Sequence, residues 1–377
     1  MNSRTEAGLF PAISHGLVWL CLSVTLFWGC GEAPSTSPGE QTVPDLYLLN
    51  STGQTLTAVA VGESLSMVGP AIDLGAEFDG DAMDLSPTHA VSTVSSFGGS
   101  LTVFVALASG SVVTSTFPGP VGDLTNPSAP TFDATGAVWV GGRGSDAIYR
   151  VRPGDLQAEQ TAAGVGTFVE RVIPVGGRLY AIDANIDDER STYQPLGPGR
   201  VVVLDSTGAV EKAIDLPDGA FNPGDAVATN GYLFVLAAGT FDPGSFEPAG
   251  DGELVAIDLT SGTVTLAVGL GGNGIGLEQG ADGKLYLVTT LDFVSTRVLR
   301  YDPASRSFER GPEDPLIVRD LEGAAIHCWT ATGLADGRLL CATFSYAEEG
   351  QLVLADDEGT MLDAIPAGFG TTDIALR

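Results

Sequence analysis

The sequence predicts an all-β fold, a β-propeller of seven four-stranded blades over residues 43–377, and three observations carry that prediction. Turn glycines recur as Gly136, Gly177, Gly231, Gly283 and Gly337, spaced 41, 54, 52 and 54 residues apart. Each is followed by an apolar run and, in most copies, by a second run ending in a polar turn, as in RVVVLDSTG, ELVAIDLTSG, RVLRYDPAS and QLVLADDEG. The two ends of the repeat region are incomplete in complementary ways. A period in the forties to low fifties with four strands per unit suits propeller blades better than helical or leucine-rich repeats.

Residues 224–270 show the unit most clearly. DAVAT, YLFVLAA, ELVAIDL and TVTLAVGL are short alternating runs, punctuated by Asn230-Gly231 and by Thr260-Ser261-Gly262. Half-buried antiparallel strands joined by tight turns require this pattern. A lone sheet of this size leaves two edges open and cannot bury both faces, so copies must pack on one another. A shorter copy starts at His89, with its first turn expected at Gly98-Gly99. Before it, DLYLLN, TLTAVAV and SLSMVGPAIDL read as second, third and fourth strands without a first. The chain ends with TTDIALR, a first strand without the others. Thr371–Arg377 is therefore expected beside Asp45–Asn50, closing the ring in a shared blade.

Composition agrees with many turns: 50 Gly and 22 Pro are scattered between the apolar runs. The formal charge is −30, with Lys212 and Lys284 the only lysines. Phosphate binding needs a basic face, so a nucleic-acid partner is excluded. The acidity reads as a solvated surface that keeps an exported protein soluble and monomeric, or as one that attracts cations or basic partners.

Residues 1–29 read as a signal peptide: Arg4 precedes the apolar stretch GLVWLCLSVTLFW, which is short for a bilayer span. Residues 30–42, rich in Pro and Ser, read as a linker. The junction Phe27-Trp28-Gly29-Cys30 resembles the lipobox of bacterial lipoproteins. That resemblance implies lipidation of Cys30, a membrane anchor in the bacterial cell envelope and, with Gly31 following the cysteine, the outer membrane.

The repeats, in DGKLYLV with RVLRYDPAS and in GGRLYAI with VVVLDSTGAV, resemble those of NHL and YVTN-type propellers. The resemblance implies the fold and leaves function open, because similar propellers serve as lactonases, lyases and binding scaffolds.

Long second-to-third loops, 183–199 and 238–252, gather on the face where the inner strands begin, and such loop-bearing faces carry binding. They place Asp187, Asp188, Tyr193, Phe241, Asp242, Phe246 and Asp251 as candidate ligand-binding residues, suited to a sugar, a basic peptide or a cation. The same aromatics serve equally well to pin the loops to the rim. Glu170, Asp225, Glu278 and Asp373 fall near the starts of inner strands. Facing the channel mouth, they would offer oxygen ligands to Ca²⁺ or another divalent cation; alternatively they cap strand amides. His89 and His327 also fall near inner-strand starts, and their separation suits structural roles. No catalytic residue is assigned. Cys328 and Cys341 flank a turn; pairing Thr332 with Gly337 sets them opposite each other, as a disulfide or as a buried reduced pair. The leading expectation is a ligand- or protein-binding scaffold acting through its looped face, and the alternative is a metal-dependent lactonase- or lyase-like enzyme.

Overall fold

The computed structural model describes residues 43–75, 78–80, 82–94, 101–117, 126–186, 194–345 and 347–377. The signal peptide, the linker with Cys30, the Gly98-Gly99 turn and the candidates Asp187, Asp188 and Tyr193 lie outside the described residues.

Seven antiparallel sheets follow one another, and no described residue is helical. Blade 1 comprises Met83–Leu85, His89–Thr93, Leu101–Ala106 and Ser111–Thr116, and blade 2 comprises Thr131–Phe132, Val138–Gly141, Ile148–Val151 and Glu159–Ala162. Blade 3 runs from Val169–Val175 to Val210–Asp215, blade 4 from Pro223–Thr229 to Val264–Gly269, and blade 5 from Asn273–Gln279 to Ser307–Arg310. Blade 6 spans Thr330–Gly333 to Met361–Phe369. Blade 7 takes its inner strand, Thr371–Leu376, from the C-terminus and the others from Leu46–Asn50, Thr55–Val61 and an outer position shared by Leu65–Met67 and Ile72–Asp73, which pair with opposite ends of Thr55–Val61. Its closing register pairs Leu46 with Leu376 and Leu48 with Ile374. The predicted split blade is the observed one.

The repeat has a conformational cause. The five turn glycines, 136, 177, 231, 283 and 337, all have φ between 78° and 89°. A Cβ at any of them would meet nothing within 4 Å. Backbone conformation alone therefore selects glycine there. The aspartate ending several third strands has an equally local role. Asp205 accepts amide hydrogen bonds from Thr207 and Ala209, Asp258 from Thr260 and Ser261, and Asp356 from Glu358 and Thr360. Each closes the hairpin to the outer strand.

The core is divided among the joints. Seven apolar clusters each fill the space between two neighbouring blades, for example Leu46, Leu48 and Ile374 of blade 7 against Leu340, Leu352 and Leu354 of blade 6. No blade buries its faces alone.

Blade 1 corrects the sequence reading. Its inner strand is Met83–Leu85 and the run from His89 is the second strand, so Gly98-Gly99 falls between strands two and three. A three-residue inner strand is too short to show alternation, and its turn, Ser86-Pro87-Thr88, contains no glycine. His89 consequently starts a second strand rather than an inner one. The Cys328–Cys341 register also differs. Cys341 pairs with Ala331, and Cys328 precedes the inner strand, yet the two Cα atoms lie 5.4 Å apart and the sulfurs are bonded.

Candidate functional site

A β-bulge recurs at the same place on four inner strands. Register shifts by one at Glu170 in blade 3, Gly224 in blade 4, Ile275 in blade 5 and Thr372 in blade 7. A bulge turns two successive side chains toward one side of a strand, which regular alternation forbids. Pairs such as Glu170–Arg171 and Thr372–Asp373 thereby both reach an axial cavity of about 360 Å³. The ends of second strands complete its wall with Ser51, Arg143, Ala238 and Phe344. The cavity thus opens on the face bearing the second-to-third loops.

All four carboxylates singled out from sequence, Glu170, Asp225, Glu278 and Asp373, line this cavity, together with Asp79. Two of them are latches between blades. Asp373 accepts the Met83 amide at 2.8 Å, and Asp225 accepts the Leu277 amide at 3.1 Å. Asp84 accepts the Phe132 amide at 2.6 Å in the same way, from one inner strand to the next. The innermost strand has a free edge, and these bonds satisfy amides that no neighbouring strand reaches. Among the described residues, no three His, Cys, Asp or Glu side chains are grouped to hold a metal ion.

The two cavity arginines are both paired. Arg143 Nε donates to Glu170 Oε2 at 2.7 Å, and Arg171 Nη1 donates to Asp225 Oδ1. Burial opposes the charge of Arg171, but Asp225, Glu278 and Asp84 outweigh it and hold its pKa above the usual range. Glu278 is different: its side chain makes no hydrogen bond among the described residues. Burial, reinforced by Asp373 and Asp225 and opposed by Arg171, pushes its carboxyl well above the usual range. Burial pushes Asp373 up to about 6, opposed by the Met83 amide and Arg171 and aided by Asp225. A desolvated carboxyl beside other carboxylates holds its proton to higher pH because the charged form has lost water and gained repulsion.

Apolar groups share the lining. Leu236 and Ile275 belong to it with Trp329 and Phe344, whose ring centroids lie 5.0 Å apart at 30°.

The loop candidates sit elsewhere. Phe241 stacks on Phe293 of blade 5 at 5.8 Å and 7°, Asp242 accepts the amides of Gly244 and Ser245, and Asp251 accepts both the amide and hydroxyl of Thr240. Phe246 is exposed at the loop tip. None of these four lines the cavity. Arg143, Arg171, Trp329, Phe344 and Asp79 were not anticipated. Arg171 follows Glu170 directly, and only the bulge, which the sequence does not announce, brings both inward.

No protein-family model and no curated protein matches the sequence. Solved structures do. A 6-phosphogluconolactonase, so described, from Bacteroides fragilis superposes with a TM-score of 0.59 at 12% identity, over 90% of this chain and 98% of that one. A streptogramin B lyase gives 0.55 at 10% identity, over 78% and 85%. Kuenenia stuttgartiensis hydrazine synthase gives 0.57 at 13%, over 79% and 89%. At these identities the likeness shows the propeller fold and nothing of the chemistry.

Proposed function

We propose that this chain is an exported propeller, anchored through a lipid on Cys30 to the bacterial outer membrane, which binds a small ligand in the axial cavity on its long-loop face. The observation that carries the reading is the cavity itself. It joins an aromatic pair to titratable groups in about 360 Å³, the composition of small-molecule sites. The NHL/YVTN-like repeats supply the scaffold, and the loops with Phe241, Asp242, Phe246 and Asp251 form the rim. The buried Cys328–Cys341 bond accords with an oxidising compartment.

A second reading, an enzyme of lactonase or lyase type, is favoured by Glu278, since a carboxyl that keeps its proton is a suitable general acid. Its metal-dependent form fits less well. Asp225 and Asp373 already accept amides on both oxygens, and a divalent cation would have to displace those donors.

The test is a thermal-shift screen of cationic, neutral and anionic metabolites, with hits titrated by calorimetry. Ligands of the cavity should lose at least tenfold in affinity, about 1.4 kcal/mol, in Trp329→Ala. Hits that bind equally well to Trp329→Ala and Phe344→Ala would place the site elsewhere.

A further inference from the structure

The chemical class of the ligand follows from the walls of the cavity, if the binding reading above holds. Five carboxyl groups line it (Asp79, Glu170, Asp225, Glu278 and Asp373) against two guanidinium groups. Both arginines are held by carboxylates, Arg143 by Glu170 and Arg171 by Asp225. Asp79 accepts the Ser51 hydroxyl at 2.9 Å, and Asp373 is latched to the Met83 amide. Glu278 alone has no hydrogen-bond partner among the described residues, although it projects from the same side of its strand as Gly276, which also lines the cavity. An anion placed here would meet uncompensated carboxylates, whereas a cation would supply the charge the site lacks. In the same lining, the rings of Trp329 and Phe344 offer faces that attract cations, and Leu236 and Ile275 offer apolar contact.

We propose that the cavity takes a small organic cation, an ammonium or guanidinium group on a short apolar stem, seated between Glu278 and the Trp329–Phe344 pair. Binding exchanges one charge for another. The Glu278 carboxyl releases its proton to solvent, and the carboxylate formed faces the incoming cation. The groups that set this exchange are Asp373, Asp225 and Asp84, which hold the proton on Glu278, and Arg171, which opposes them. Asp79, Glu170 and Arg143 complete the charged surroundings. Because the free site carries the proton and the occupied site does not, affinity rises with pH, by up to tenfold per unit, until Glu278 ionises unaided.

Choline and agmatine serve as probes, with 3,3-dimethylbutan-1-ol as the uncharged counterpart of choline in nearly the same shape. Calorimetric titration of the full-length protein in detergent, at pH 5 to 8.5 and in two buffers of different ionisation enthalpy, reads both affinity and protons released. At least one cation should bind, the alcohol should bind at least tenfold more weakly than choline, and close to one proton should leave at low pH. Glu278→Gln should abolish proton release and weaken cation binding at least tenfold at pH 8. Gln mimics the protonated carboxyl, so the variant should melt at or above the wild-type temperature at pH 8, separating lost binding from lost folding.

Equal binding of choline and the alcohol, pH-independent affinity or an unaffected Glu278→Gln variant would overturn the proposal. So would the failure of both cations. Neutral or anionic ligands that still depend on Trp329 would then leave the cavity reading standing, and no Trp329-dependent ligand of any charge would remove both.

Discussion

Deletion of Thr371–Arg377 eliminates the cooperatively folded propeller, the largest effect expected of any short change in this chain. The segment is the inner strand of blade 7 and pairs with Leu46–Asn50 along its length. Ile374 is buried among Leu46, Leu48, Leu340 and Leu352, so its loss uncovers the joint between blades 6 and 7. Asp373 takes with it the acceptor for the Met83 amide, which ties blade 7 to blade 1, and Thr371 takes its hydroxyl from Asn50. Losing one large apolar side chain costs about 3 kcal/mol, and several strand hydrogen bonds add about 1 kcal/mol each. The sum rivals the total stability of a typical domain, about 5–15 kcal/mol. The exposed edge of Leu46–Asn50 would also invite aggregation. The milder Ile374→Ala should cost about 3 kcal/mol and leave a measurable transition. Calorimetric or circular-dichroism melting checks both, and a truncated chain melting like the intact one would show that the ring does not close through this strand.

Replacing Cys328 and Cys341 together by alanine should destabilise the propeller by about 3 kcal/mol, the figure expected for a crosslink closing a loop of this length. Both residues are buried in the cluster between blades 5 and 6, beside Tyr286, Val318 and Val353. Alanine adds no buried hydroxyl, which keeps the measurement to the crosslink and a small packing loss. Urea unfolding of wild type with and without reductant provides the control. Reductant should lower the wild-type midpoint toward that of the double variant and leave the variant unmoved. A midpoint indifferent to both treatments would show that the bond contributes nothing.

The sequence revealed what depends on local backbone rules. Gly177 and Gly231 sit where only a positive φ completes the turn, so their spacing reports the blade directly. Asp258 and its relatives mark the hairpin to the outer strand because their carboxylates accept the hairpin amides. Blade 1 was misaligned because Met83–Leu85 is too short to alternate and its turn contains no glycine. Asp84, the latch on that strand, went unnoticed with it. The four inner-strand carboxylates were recognisable by position, but their division of labour was not. Asp225 and Asp373 serve neighbouring amides, whereas Glu278 serves none, and only the register between blades separates them. Arg171 was hidden by alternation itself: a residue next to Glu170 should face away, and the bulge reverses that.

The central claim is that an acidic cavity bearing Trp329 opens at the axis on the looped face. Quenching of tryptophan fluorescence by caesium and by iodide tests it most directly in residues 43–377, where Trp139 is buried and Trp329 is the accessible indole. Caesium, drawn in by the carboxylates, should quench Trp329 severalfold more strongly than iodide at pH 8.5. Iodide quenching equal to caesium quenching would contradict the account.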